Sequence, residues 1–421
     1  MKKMDRTNEV VSEAVPAWQL ELDKVGFVRK LFLARKWYGG DWWFVLISAI
    51  LLLFIVFLGI FPQWFAPYDP KEEVGPSLLG PGEKAPGLMV IVKTNSSAET
   101  FADVAGKTNK VGYLMGSAAT QTIRDALSTL NEASQEEGKG NLYQPRSTRY
   151  ETIEEGLNGL KTGEVDSFVA SQEELGEISI EGSGFKVLEE LSGSKASSFV
   201  MGTNQIGQDI FSRIIWGTRI ALIVGLVSAI ISFVIGVPLG LISGFIGGPF
   251  DRILTLVMDS LYTFPGLILA IAIAAVLGAG IGNIIVAISV LYIPTYFRIV
   301  RGQTLSVKNE LYVEAARSLG TRPVEILFKY IFPNVLPSVT IIFSVNVADA
   351  ILTEAGLSFI GLGLPPDTPD WGIDLARGQD YLRRAWWLIT FPGLMVTLVT
   401  LSFSMLGESL SEILNPRLAE L

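Results

Sequence analysis

The feature that most constrains this chain is a set of apolar runs too long for the core of a soluble protein. Trp42 to Phe61 holds 20 residues without one charge, about the ~20 that a helix needs to cross ~30 Å of hydrocarbon. Five more runs come late in the chain: Ile220 to Ile246, Phe264 to Leu277, Ile284 to Ile299, Ser338 to Ile360 and Trp386 to Leu406. Only a helix or a closed barrel satisfies its backbone in lipid, so runs of this length predict a mainly α, polytopic membrane protein with six transmembrane helices. The first run is too long and bulky for a secretory signal. Residues 42–62 therefore read as an uncleaved span, with Trp43 and Trp64 suited to its interfaces. Residues 1–41 carry Lys2, Lys3, Lys24, Arg29, Lys30, Arg35 and Lys36, which places the N-terminus in the cytoplasm. Six crossings return the tail, 408–421, to the same side. They also put loop 301–337 inside, where Arg301, Lys308, Arg317, Arg322 and Lys329 agree with the rule. Arg377, Arg383 and Arg384 fall outside by this count and are the exceptions.

Between the first and second runs the material changes. Residues 86–200 hold 17 acidic and 10 basic side chains, a balance of −7 out of the chain's −9. Leu88 to Val92, Val111 to Leu114 and Val165 to Ala170 read as strands, and Thr120 to Leu130 and Tyr150 to Thr162 as helices, the latter stopped by Gly163. The alternation predicts a small α/β domain inserted between helices 1 and 2, on the extracytoplasmic side. An external amphipathic segment, 201–219, follows it.

The acidic balance argues against a nucleic-acid partner. With no Cys and no His, disulfides, thiol or imidazole catalysis and most transition-metal sites are excluded. Ala105-Gly-Lys-Thr108 imitates the end of a phosphate loop, but Phe101 stands where that loop needs its first Gly. No catalytic residue, metal site or bound cofactor is expected on this chain.

Four features bear on function. Tyr312-Val-Glu-Ala-Ala-Arg-Ser-Leu-Gly320 and Ile331-Phe-Pro-Asn-Val-Leu-Pro337 lie in the polar loop before span five. Small residues at Ala315, Ala316 and Gly320 let another surface approach; an ordinary loop helix reads equally well. Gly236, Gly240, Gly244 and Gly248 recur every four residues, a stripe for close helix packing, or a hinge assisted by Pro238. Asp349 and Glu354 lie within span five, where a charge usually faces a pathway or the bundle interior. Asp349 is expected to face the central pathway and favour a cationic group such as a peptide N-terminus, or else to sit in a buried structural pair. Asp251 and Asp259 read as solvated interface residues.

The Glu314-Ala-Ala pattern, with Gly320 and Leu336-Pro337, resembles the coupling motif of importer-type ABC permease subunits. Phe65-Ala-Pro-Tyr-Asp-Pro70, Gly202-Thr-Asn-Gln-Ile-Gly-Gln-Asp209, Leu352-Thr-Glu-Ala-Gly-Leu-Ser-Phe-Ile-Gly-Leu-Gly363, Trp371-Gly372 and Asn415-Pro-Arg-Leu418 are similar, in order, to the C-type subunit of the dipeptide, oligopeptide and nickel permeases. The resemblance implies the type I ABC importer fold. It also implies that Tyr312, Glu314, Ala315, Ala316, Gly320, Pro323, Leu336 and Pro337 couple to separate ATPases. The implied partners are a second permease subunit in a heterodimer, two ATPase subunits that use ATP and Mg, an extracytoplasmic solute-binding protein and the lipid bilayer of the bacterial inner membrane. Asn204 and Gln208 depart from the family's Asp and Arg, so any ion pair there is lost. Lys110 to Ser117 with Tyr150 to Asp166 is similar to one lobe of periplasmic solute-binding proteins, which leaves three roles for the insert: docking or gating toward a binding protein, solute capture, or a structural cap. Two rival readings, a membrane-embedded enzyme and a receptor using the insert, lack catalytic groups and a cytoplasmic effector respectively.

Overall fold

The computed structural model describes residues 39–414, apart from 84–86, 116, 118, 137–138, 177, 179, 181–182 and 192–198. The basic stretch before Gly39 and the Asn415 to Leu418 motif lie outside the described residues. Helix α1 (Gly39–Ile60) is apolar all round and leaves Phe44, Ile47, Ile50 and Leu53 exposed, as a lipid-facing helix does. The chain then pairs with its own later segment. Val74 and Gly75 N–H donate to the Gly207 carbonyl at 2.9 and 3.0 Å, Leu78 N–H to Asn204 O at 3.0 Å, and Gly82 N–H to Phe199 O at 2.8 Å. These linkers form a stem that carries the inserted unit.

That unit holds β1 (Leu88–Lys93), β2 (Lys110–Leu114), α2 (Ala119–Glu136), β3 (Arg146–Tyr150), α3 (Ile153–Thr162), β4 (Ser167–Ser171) and β5 (Phe185–Leu191). The sheet order is β3-β2-β4-β1-β5, with β2 parallel to β3 and β4, and β1 antiparallel to β4 and β5. Side chains alternate across it. Val90, Val92, Val111 and Val169 fill one core, while Ile91, Phe168 and Ala170 fill the other. Tyr150, expected in a helix, ends β3, and α3 begins at Ile153 because the Thr152 hydroxyl accepts the Glu155 N–H at 3.3 Å. Both strands that sequence periodicity misses, β3 and β5, are edge strands; β3 exposes Arg146 and Arg149 and β5 exposes Glu190, charges that blunt pairing with other chains.

Helix α4 (Ile210–Ile246) starts earlier than expected, since the Asp209 carboxylate accepts the Ser212 N–H at 2.8 Å and caps it. Segment 201–219 is thus part stem and part first turns of the span. Then follow α5 (Gly248–Thr263), α6 (Gly266–Leu277), α7 (Ile281–Val307), α8 (Leu311–Ser318), α9 (Phe332–Phe359), α10 (Trp371–Gly378) and α11 (Trp387–Leu414). The expected span Phe264 to Leu277 is corrected: α6 has 12 residues, about 18 Å of helix, too short to cross alone. It joins α5 at a 90° bend.

Helices α4 and α7 run parallel. A Cβ built on Gly236 would meet the Ile293 carbonyl at 2.8 Å, one on Gly240 the Phe297 carbonyl at 2.7 Å, and one on Gly244 the Arg301 carbonyl at 2.9 Å. Parallel neighbours need a return crossing between them, and only the bent α5–α6 pair joins them. Five long apolar helices plus this pair make six crossings among the described residues. It follows that segment 308–331 lies at the opposite end of the bundle from the stem and sheet unit.

Candidate coupling segment and translocation face

Helix α8 is held by two side chains. Val313 and Ala316 are buried, Val313 within the cluster of Val237, Leu241, Val300, Ile326 and Val335 that joins α4, α7 and α9. The rest of this region is bare: Leu311 and Tyr312 in the first turn of α8, Leu319 just past its end and Val324 in the following turn are exposed, with Leu319 at 86%. Glu314 and Ala315 are exposed beside them. Gly320 closes the helix at φ 77°. Its N–H donates to Arg317 O at 3.0 Å and the Thr321 N–H to Ala316 O at 3.1 Å, the paired bonds of a helix stop that needs a left-handed residue. Pro323 opens the next helical turn, and a wide π turn, Ile326–Ile331, leads into α9. Leu336 is exposed and Pro337 lies inside α9. Of the residues the sequence singled out here, Tyr312, Glu314, Ala315, Gly320 and Pro323 are exposed, whereas Ala316 is an anchor. Leu311 and Leu319 were missed, although two Leu flanking a polar helix are a legible sign of a second apolar face.

Gly236, Gly240 and Gly244 lie at the α4–α7 contact, where the Ser232 hydroxyl also donates to the Ser289 carbonyl at 2.9 Å. Gly248 does not belong to this stripe. It follows the end of α4, at φ 69°, with nothing near its Cβ position, because α4 stops at Ile246 and the helical spacing of the stripe ends with it. Asp251 is corrected as well. It is buried and paired twice with Arg301, at 2.5 and 2.7 Å, while the exposed Asp259 meets Arg298 at 2.9 Å.

The two carboxylates of span five separate. Glu354 is buried and accepts a hydrogen bond from the Ser358 hydroxyl at 2.8 Å. The expectation that it lines a pathway is corrected: its side of α9 is packed against α10. Burial raises the Asp370 carboxyl above the ordinary value, and the Ile373 N–H at 3.0 Å opposes that shift. Asp349 is exposed.

Near the stem, Asn204 and Gln208 bond each other, Nδ2 to Oε1 at 2.8 Å, and Gln208 Nε2 donates to Lys71 O at 2.9 Å. Gln208 Oε1 also accepts from Arg213 at 3.0 Å. Two uncharged amides thus bond each other directly at these positions. Arg213 is fully buried and pairs with Asp374 at 2.7 Å. Sequence reasoning missed this pair, since 161 residues separate its members.

A surface cleft of about 740 Å³ opens on the sheet unit beside Lys93, Asn95, Ser96, Asp103 and Asp166. Two of its carboxylates are used by the fold: Asp103 accepts the Glu99 and Thr100 N–H groups, which lower its pKa, and Asp166 accepts the Lys110 N–H at 2.8 Å.

Residues 236–420 match the family described as the inner membrane component of binding-protein-dependent transport systems. The glutathione transport system permease protein GsiD of Pectobacterium atrosepticum is 40% identical over 228 residues, covering 54% of this chain and 76% of that protein. GsiD of Shigella flexneri is 42% identical over 217 residues, covering 52% and 72%. The inward-facing MetNI methionine ABC transporter is 18% identical, over 47% of this chain and 95% of that chain, at a TM-score of 0.38. With a relative at this identity matched over most of its length, the chain belongs to the inner-membrane components of binding-protein-dependent transport systems, as a multi-pass permease subunit of an ABC importer that works with ATPase subunits and a solute-binding protein.

Proposed function

We propose that this subunit carries peptide-type solutes, glutathione or a related short peptide among them, and is driven through α8 by ATPases on separate chains. The observation that carries the coupling assignment is the exposure of Leu311, Tyr312, Leu319 and Val324 on and just after a helix anchored by Val313 and Ala316. An exposed apolar patch this dense marks a docking surface. Here it sits on a stiff mount, so a load at Tyr312, Glu314, Ala315 or Gly320 reaches the spans. Leu336 and Pro337 continue that mount into α9.

The chain itself is non-catalytic on this reading, and ATP with Mg is used by the partner ATPases. Residues 301–337 and both termini lie in the cytoplasm, supported by Arg298, Arg301, Lys308, Arg317, Arg322 and Lys329 gathered toward one end of the bundle. Residues 86–200, toward the other end, are extracytoplasmic and face the solute-binding protein. A second, different permease subunit completes the pathway.

The test is purification of the complex carrying Leu319→Asp or Glu314→Lys. Loss of the ATPases from the complex, together with loss of ATP-driven uptake, is the expected result. Full uptake with either variant refutes the assignment, as does mapping of Ala316 to the external face.

A further inference from the structure

We infer that Asp349, Tyr292 and Thr353 form a binding site on the translocation face for a primary ammonium group, the free amino terminus of a peptide solute; this rests on the transport reading above. Asp349 and Thr353 stand one turn apart on α9, on the strip of that helix that also leaves Val345 and Leu352 exposed. The strip is otherwise apolar. Across the contact with α7, the Tyr292 hydroxyl lies 3.0 Å from Thr353 Oγ1.

Three observations point to a ligand. Asp349 lies ten residues before the end of α9 at Phe359, about 15 Å along the helix axis, so it is deep in the span. It has neither a hydrogen bond nor an ion pair among the described residues, unlike Asp251, Asp259, Glu354 and Asp374. It is exposed, and a bare carboxylate at that depth costs several kcal/mol against lipid, so the surface it belongs to faces water or a cation. An ammonium group has three N–H donors and no acceptor. The site supplies the matching complement: two carboxylate oxygens, with two hydroxyl oxygens one helical turn away. In an apolar surround the attraction is stronger than in water, and it rejects an anion by the same margin.

The chain's lack of Cys allows a direct test in the assembled complex, with the Cys-free chain as background. Thr353→Cys is titrated with a cationic trimethylammonium methanethiosulfonate and an anionic sulfonate methanethiosulfonate, with and without Asp349→Asn. The expected result is that Asp349→Asn lowers the cationic-to-anionic rate ratio about tenfold or more, as the removal of a unit charge a few Å away requires. An unchanged ratio overturns the proposal. So does a Thr353→Cys variant whose thiol neither reagent reaches, which would mean that the surface is sealed by lipid or by a cation of the second subunit. In the same complexes, uptake of glutathione against its N-acetyl derivative should favour the free amine about tenfold, and Asp349→Asn should erase the preference. Equal uptake of both by the unaltered complex overturns the ammonium assignment. The cysteine readout needs no transport, so failure of the site and failure of the transport reading remain distinguishable.

Discussion

Arg213 offers the sharpest energetic test of how the stem is fixed to the bundle. Its guanidinium is fully buried and gives Nε to Asp374 Oδ1 at 2.8 Å, Nη1 to Pro70 O at 3.1 Å and Gln208 Oε1 at 3.0 Å, and Nη2 to Thr368 O at 3.2 Å. One side chain thereby ties the end of α1's linker, the stem, α4 and α10. Arg213→Met removes these donors and leaves the Asp374 carboxylate buried without its partner, which should cost about 3–5 kcal/mol. Asp374→Leu leaves a buried guanidinium with carbonyl acceptors only and should cost a similar amount. The double variant removes both charges. Its cost should therefore be less than the sum of the single costs by at least about 2 kcal/mol, even though three oxygens lose a donor. The assay is reversible unfolding in mixed dodecyl sulfate micelles followed by far-UV circular dichroism, or the half-life at one temperature where refolding fails. Strict additivity of the two single costs would refute the argument, because it would mean that the orphaned charge is not what the single variants suffer from.

Four further outcomes are expected. Gly240→Val should cost about 2–3 kcal/mol, since its Cβ would meet the Phe297 carbonyl at 2.7 Å and Val300 Cβ at 2.9 Å. By contrast Gly302→Ala in α7, with nothing within 4 Å, should stabilise by about 0.5–1 kcal/mol in the same unfolding assay. Residues 87–191 expressed alone should unfold cooperatively in urea, because both faces of the sheet are covered from within that segment; a non-cooperative melt would show that the stem supplies part of the core. Thr152→Ala should cost that isolated unit about 1 kcal/mol through loss of the N-cap to Glu155.

What the sequence makes legible follows from the solvent each segment meets. Lipid demands long uninterrupted apolar helices, so α1, α7, α9 and α11 are readable to within a turn or so at most ends. The third crossing is harder to read, because its halves differ: α5 carries Asp251, Arg252 and Asp259, and the apolar count starts only at Phe264. The start of α4 is obscured for a related reason. Its first turns hold Arg213 and Arg219, one of which is neutralised by Asp374, a residue that no local window contains. In the sheet unit the inner strands β1, β2 and β4 announce themselves by apolar runs, whereas β3 and β5 are read as polar because one side of each edge strand faces water. The proposed coupling helix was legible as a pattern, but its division into anchors and bare residues was not. Ala315 and Ala316 are the same residue type and differ only in which way a 3.6-residue turn points them.

The parallel course of α4 and α7 gives the proposed coupling segment its mechanical meaning. Three glycines at close approach and the Ser232 to Ser289 hydrogen bond leave these helices no room to slide by a fraction of a turn. The Asp251 to Arg301 pair ties the start of α5 to α7 at the same end, and Lys308 donates to the Gly244 carbonyl at 2.8 Å. Val313 of α8 is inserted into the cluster that includes Val237 and Leu241 of α4 and Val300 of α7. A displacement of α8 is therefore delivered to the zipped pair as one body, not dissipated by side-chain rearrangement. On the proposed topology the contacts left free to change are those of the α6–α7–α9 face, where packing is sparser and Asp349 is exposed. Rigid-body motion of a stiff pair against a looser face is how a small shift at a docking surface becomes the opening of a pathway.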